Sequence, residues 1–202
     1  MRVAIVGGPG VGKSTLVRQL ADLYHNGSYG EGEKGVWDPR VLDDIAHGRN
    51  PVGVTEYFAR LYDANYRDAA AHDGPGRVIF FEGARMTLEA HIAEYPPEYH
   101  AQLRAVAAIG DGWNPDRVIV LTSSSATIER HIKLRNRAHE EVDEMVRRFR
   151  LIDDGFRRLA AGDPTAVVID RDGFEFHDRD DLVRIIQQAR LPPFEEIPYV
   201  RY

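Results

Sequence analysis

Apolar positions along this chain follow two different periods. Unbroken apolar runs at Arg2–Val6, Arg77–Phe81, Arg117–Thr122 and Thr165–Asp170 have the composition of strands covered on both faces. Between them apolar residues recur every three or four positions, the period of a helix with one buried side. Leu16, Val17 and Leu20, continued by Leu23 and Tyr24, mark a first helix. Asp38-Pro39 starts a second, with Val41, Leu42 and Ile45 behind it. Val54, Tyr57, Phe58, Leu61 and Asn65-Tyr66 stripe a third over 54–71, and Glu56, Arg60, Asp63 and Arg67 lie opposite. Helical segments over 87–94 and 97–109 break at Tyr95-Pro96-Pro97. Ser123, Ser124 and Ser125 offer caps to a helix over 126–137. Met145, Phe149, Ile152, Phe156 and Leu159 stripe the next, over 143–161, and Asp178 or Asp180 caps the last, to about Arg190. The Gly-rich 25–35 stretch reads as a loop. Where a second strand belongs, only Val36-Trp37 offers itself, and poorly.

Strands alternating with helices predict an α/β fold of three layers, α/β/α, around a mostly parallel sheet. In such sheets ligands gather at the carboxyl ends of the strands. That rule brings four places around one cleft: the turn after the first strand, Glu82 and Arg85, Thr122 to Ser125, and Asp170 to Asp172.

The first of these places has a sharp signature. Gly7-Gly-Pro-Gly-Val-Gly-Lys-Ser14 fits G-x-x-x-x-G-K-[ST] at every fixed position, between a strand and a helix. Glycines let backbone N–H groups surround a β-phosphate with no Cβ in the way. Gly8, Gly10, Val11 and Gly12 form that cradle, and the following helix adds its N-terminal dipole. Lys13 reaches the β/γ-phosphates, the Ser14 hydroxyl is placed for Mg²⁺, and Thr15 for the α-phosphate. The stretch is expected to bind a nucleoside triphosphate.

Glu82 ends a buried strand, where a carboxylate can hold Mg²⁺ or take the proton of an attacking hydroxyl. Arg85 is expected to face the same cleft and hold a phosphate. Arg130, Lys133 and Arg137 recur at helical spacing, and Arg135 and Arg137 fall where that helix runs out. Phosphoryl transfer spreads charge over the γ-oxygens and wants cations that close on them.

Composition narrows the picture slightly. With no cysteine among 202 residues, disulfides, thiolate catalysis and a Cys-based zinc site are excluded. The eight histidines show no ligand spacing. A net charge of −6 weighs against a protein built to coat nucleic acid. No apolar run reaches membrane-spanning length, and the first strand leaves no room for a signal peptide, so a cytoplasmic location is expected.

The chain resembles the P-loop nucleoside and nucleotide kinases, chiefly the deoxynucleoside kinase and thymidylate kinase branch. The matching pieces are Gly7–Thr15, Val78–Arg85, Pro115–Leu121, Glu129-Arg130 through Arg135-x-Arg137 with Glu140-Glu141, and Val167–Asp170. The resemblance implies one P-loop kinase domain over 1–202, with a helical lid at about 130–145 and an acceptor-site insertion at about 25–75. It also implies ATP and Mg²⁺ as cofactors, with Arg130, Arg135 and Arg137 on the lid and Asp170 to Gly173, Asp172 among them, in the loop near the adenine. Related kinases are often homodimers. The acceptor is expected to be a nucleoside or nucleoside monophosphate. Its pocket, drawn from Glu31 to Asp38, Tyr57, Phe58, Tyr62, Arg85 and Trp113, has no counterpart that can be carried over, because the third strand ends Glu-Gly-Ala-Arg with the arginine displaced. For a hydroxyl acceptor Glu82 is the first choice of base, with Glu33 or Asp38 in reserve; for a phosphate acceptor, Arg85 and Arg60 would clamp it.

Two other functions fit less well. A kinase acting on a modified base or sugar within DNA or RNA would use Arg147, Arg148 and Arg150 along an open groove, against the acidic total. A nucleotide-driven switch would need a switch threonine and a Walker-B aspartate, and Glu82 stands at the strand end instead.

Overall fold

A computed structural model describes residues 1–25, 28–29, 38–135 and 141–194. Five parallel strands form one sheet in the order β2-β3-β1-β4-β5. These are β1 (Arg2–Gly7), β2 (Ser28–Tyr29), β3 (Ile79–Glu82), β4 (Arg117–Thr122) and β5 (Ala166–Asp170). The second strand is a correction: it is two residues long and lies inside the stretch read as loop. Too short to show any apolar period, it pairs with Phe80 and Phe81 of β3. Val36-Trp37 lies outside the described residues.

Eight helices connect and cover the strands among the described residues: α1 (Lys13–Leu23), α2 (Pro39–Ala46), α3 (Pro51–Ala71), α4 (Arg85–His91), α5 (His100–Ala107), α6 (Ser125–Arg135), α7 (Val142–Ala161) and α8 (Arg179–Gln188). Alternate residues of the central strands feed two cores, as the pleat requires. Val3, Ile5, Phe80, Ile119 and Leu121 pack against α1, α8 and the inner side of α6. Ala4, Val6, Ile79, Phe81, Val118 and Val120 pack against α3, α4 and α7. Removing the whole side chain of a core ring such as Phe80 or Phe156, each fully buried, should cost about 3–5 kcal/mol.

The stripe assigned to the third helix is rotated from expectation. Val54, Thr55, Ala59, Tyr62, Asn65 and Ala69 are the buried positions, while Tyr57 and Leu61 are half-buried. Val54 and Asn65 of the expected stripe are buried and Phe58 and Tyr66 pack against the core, while the stripe shifts to include the small, fully buried Ala59 and Ala69. No described helix is long and apolar enough to cross a membrane.

Candidate active site

The chain leaves β1 at Gly7, turns through Gly8 to Gly12, and enters α1 at Lys13. Gly12 stands at the N-cap in the left-handed region, φ 98°, with no side chain capping the helix. The first-turn N–H groups of α1 are therefore left for an anion. Lys13 Nζ reaches back 3.2 Å to the Gly8 carbonyl, which lays the cation across the turn. Gly10, Gly12, Lys13, Ser14 and Thr15 all line one cleft of about 1160 Å³. Gly8 and Val11 lie beneath it: Gly8 is buried, and the Val11 side chain is in the core.

Register carries a second group into the cleft. Glu82, the last residue of β3, is opposite Ile5 of β1, and the Gly83 N–H donates to the Ile5 carbonyl at 3.3 Å. Glu82 is only 1% exposed yet lines the cleft with Lys13 and Ser14. Ser14 and Glu82 supply hard oxygen donors of the kind Mg²⁺ takes.

On the β5 side the cleft is bordered by Arg171, whose guanidinium lies 4.2 Å from the centre of the Phe176 ring and donates to the Phe174 carbonyl. On the β3 side it runs past Thr87, Leu88 and His91 of α4 to Glu94 and Tyr95, with Phe58 and Tyr62 of α3 and Arg148 of α7. Burial alone would raise the Glu94 carboxyl. The His91 ring and the Arg148 guanidinium overcome this and hold it down at about 2. Burial pushes the neighbouring Tyr95 hydroxyl up, with the Glu94 charge adding to it.

Several expected site residues lie elsewhere. Arg85 is not among the residues lining the cleft; it pairs with Glu89 at 2.7 Å and with Asp111. As the first residue of α4, it finds Glu89 one turn on, and that local partner decides its direction. Arg130 is exposed on a different side of α6, bordering a shallow depression with Glu129 and Lys133, whereas His131 and Leu134 reach the main cleft. Asp172 is turned to α6: it accepts from the Ser123 hydroxyl at 2.6 Å and the Ser124 N–H at 3.2 Å. A carboxylate at a helix N-terminus is stabilised there, and these bonds hold Asp172 below its ordinary range despite some desolvation. Arg60 pairs with Glu56 in solvent. Trp113 is buried and donates to Asp63, and Tyr57 does not line the cleft; Phe58 and Tyr62 do. Asp38 caps α2 through the Arg40 N–H. Glu33, Arg137 and the Arg135 side chain lie outside what is described.

Sequence reasoning passed over the cleft residues His131 and Glu94. His131 Nδ1 lies 3.0 Å from the Gly10 carbonyl, a contact between elements far apart in the chain. Glu94 and Arg148 become partners only when α4 and α7 pack. Arg171 lies within the Asp170 to Asp172 segment that the strand-end rule brings to the cleft, and it lines the cleft.

Site and topology together define the P-loop kinase fold of the deoxynucleoside and thymidylate kinases. The deoxyadenosine kinase of M. mycoides, with products dCMP and a flexible dCDP bound, superposes with a TM-score of 0.70 at 14% identity, covering 94% of this chain and 99% of that one. Thymidylate kinase from Candida albicans gives a TM-score of 0.67 at 15% identity, covering 94% and 92%. No family profile and no curated protein matches the sequence.

Proposed function

We propose that this protein is a phosphotransferase moving the γ-phosphate of ATP to a nucleoside or nucleoside monophosphate. One observation carries the reading: the phosphate-binding turn with Lys13 and Ser14 shares a single cleft with the buried strand-end carboxylate of Glu82. At about 1160 Å³ the cleft exceeds the roughly 300–1,000 Å³ of a single-ligand site, which supports a donor and an acceptor bound together. The neighbouring fold of a kinase bound to dCMP and dCDP supports a nucleotide-sized acceptor.

In this reading the first-turn N–H groups and Lys13 hold the β- and γ-phosphates, and Arg171 with Phe176 borders the donor's base. Glu82 accepts the proton of an acceptor hydroxyl as its oxygen bonds to the γ-phosphorus and the bridging oxygen leaves with ADP. An acceptor phosphate needs no such base. Mg²⁺ held by Ser14 and Glu82 would neutralise charge on the β- and γ-phosphates. Arg135 and Arg137 remain the proposed lid cations.

Incubation with γ-labelled ATP against nucleosides, nucleoside monophosphates and DNA containing modified pyrimidines tests this. Label is expected in a nucleoside or monophosphate. Label in DNA alone would move the acceptor to nucleic acid, and label only in free phosphate would replace transfer by hydrolysis.

A further inference from the structure

On the β3 side the cleft ends in a charged cluster that the transfer chemistry does not use. Glu94 sits on the 3-10 turn Ile92–Glu94, directly after α4, with its side chain 2% exposed. Arg148 donates its Nε–H to Glu94 Oε2 at 2.7 Å, and His91 Nδ1 lies 2.5 Å from Oε1. The carboxylate is thus engaged on both oxygens and almost wholly buried in the cleft wall. Arg148 is more open: it lines the cleft with 19% of its side chain exposed. Its Nε–H is engaged by Glu94, and its terminal N–H fork makes no hydrogen bond with another described residue.

Two features decide what such a fork would meet. A phosphate clamp gains from net positive charge, but here a buried carboxylate at ion-pair distance already neutralises the guanidinium. What remains is geometry, two parallel N–H donors that suit a pair of adjacent acceptors on an uncharged ligand. The same cleft has aromatic walls for a flat ring, Phe58 and Tyr62, with centroids 6.0 Å apart.

We propose that Arg148, positioned by Glu94 and His91, determines acceptor specificity by selecting a nucleobase with two adjacent acceptors: cytosine through O2 and N3, or guanine through O6 and N7. The inference rests on the kinase reading of the same cleft. Thymine, uracil and adenine offer no such pair, because a donor stands beside each acceptor or the acceptors lie on separate edges.

Calorimetric binding of the four deoxynucleosides to the full chain, in the presence of a non-hydrolysable ATP analogue, tests the proposal. The deoxynucleoside of cytosine or guanine should bind at least tenfold tighter than those of thymine and adenine. Deleting one acceptor from the preferred ligand, as in 3-deaza-2′-deoxycytidine or 7-deaza-2′-deoxyguanosine, should weaken it by about tenfold to a hundredfold. These ligand changes leave the protein intact, so the test survives if a variant fails to fold. In folded Arg148→Lys, which keeps the charge and loses the fork, the preference between bases should vanish.

Equal binding of all four, binding of none, or deaza ligands as tight as their parents would overturn the proposal. So would an Arg148→Lys variant that keeps its base preference but loses the extra affinity of a monophosphate over its nucleoside. Label transfer measured in parallel separates the two readings: base-selective binding without transfer defeats only the kinase assignment, and transfer without base selectivity defeats only this inference.

Discussion

Phe149 of α7 packs so closely on Gly8 that a Cβ at Gly8 would fall 2.5 Å from the ring's Cδ2. The glycine-rich turn is thereby seated on a helix from the far half of the chain. Gly8→Ala must displace either the ring or the turn, and overpacking of this kind costs about 1–3 kcal/mol. Thermal melts of Gly8→Ala, Phe149→Leu and the double variant should show partial rescue in the double. Strict additivity of the two losses would mean the contact does not constrain the turn.

Lys13→Ala should lower kcat by about a hundredfold or more while the melting temperature stays close to that of the parent, since the lost charge acts chiefly on the transferring phosphoryl group. Steady-state kinetics with ATP check this. Retained turnover would remove the assigned phosphate site.

Glu82→Gln separates acceptor types. With a hydroxyl acceptor, loss of a general base costs about 10²–10⁴ in rate; with a phosphate acceptor the loss should be much smaller. Comparing kcat for a nucleoside and its monophosphate in the same variant gives the answer. Equal losses with both would assign Glu82 to metal binding instead of proton transfer.

Glu94 makes acid stability a readout of the buried pair. Its folded pKa of about 2 lies below the ordinary 4.5, so its stabilisation is fully present above about pH 4.5 and disappears as pH falls toward 2. The shift corresponds to about 3 kcal/mol. Glu94→Gln should be less stable than the parent at pH 7, by about 3–5 kcal/mol, because Arg148 keeps its charge without its counter-ion. Urea unfolding at several pH values should show the gap narrowing below pH 4.5. A gap constant with pH would mean that ionisation of Glu94 contributes nothing.

Much of this architecture is legible in the sequence because long apolar runs and one short motif have strong local causes. The four longer strands and all eight helices fall close to their expected spans, and Gly7 to Ser14 declares its turn without help from the rest of the chain. What escapes is settled by partners distant in sequence. β2 is two residues long and exists only because β3 offers it an edge. Arg85 is drawn to Glu89 and Asp111, and Asp172 to the start of α6, where short-range charge and dipole interactions outweigh the strand-end rule. Arg148 stands in a run of arginines that reads as the border of an open groove, and its pairing with Glu94 shows only when the two are packed together.

The tie between Asp172 and the Ser123-Ser124 pair has a mechanical meaning. It pins α6 at its origin to the loop following β5, and about two turns later His131 fastens the same helix to the Gly10 carbonyl. Held at two points, α6 cannot rock as a rod without breaking both attachments. Any bend in α6 that spares both attachments therefore belongs beyond His131, toward Arg135.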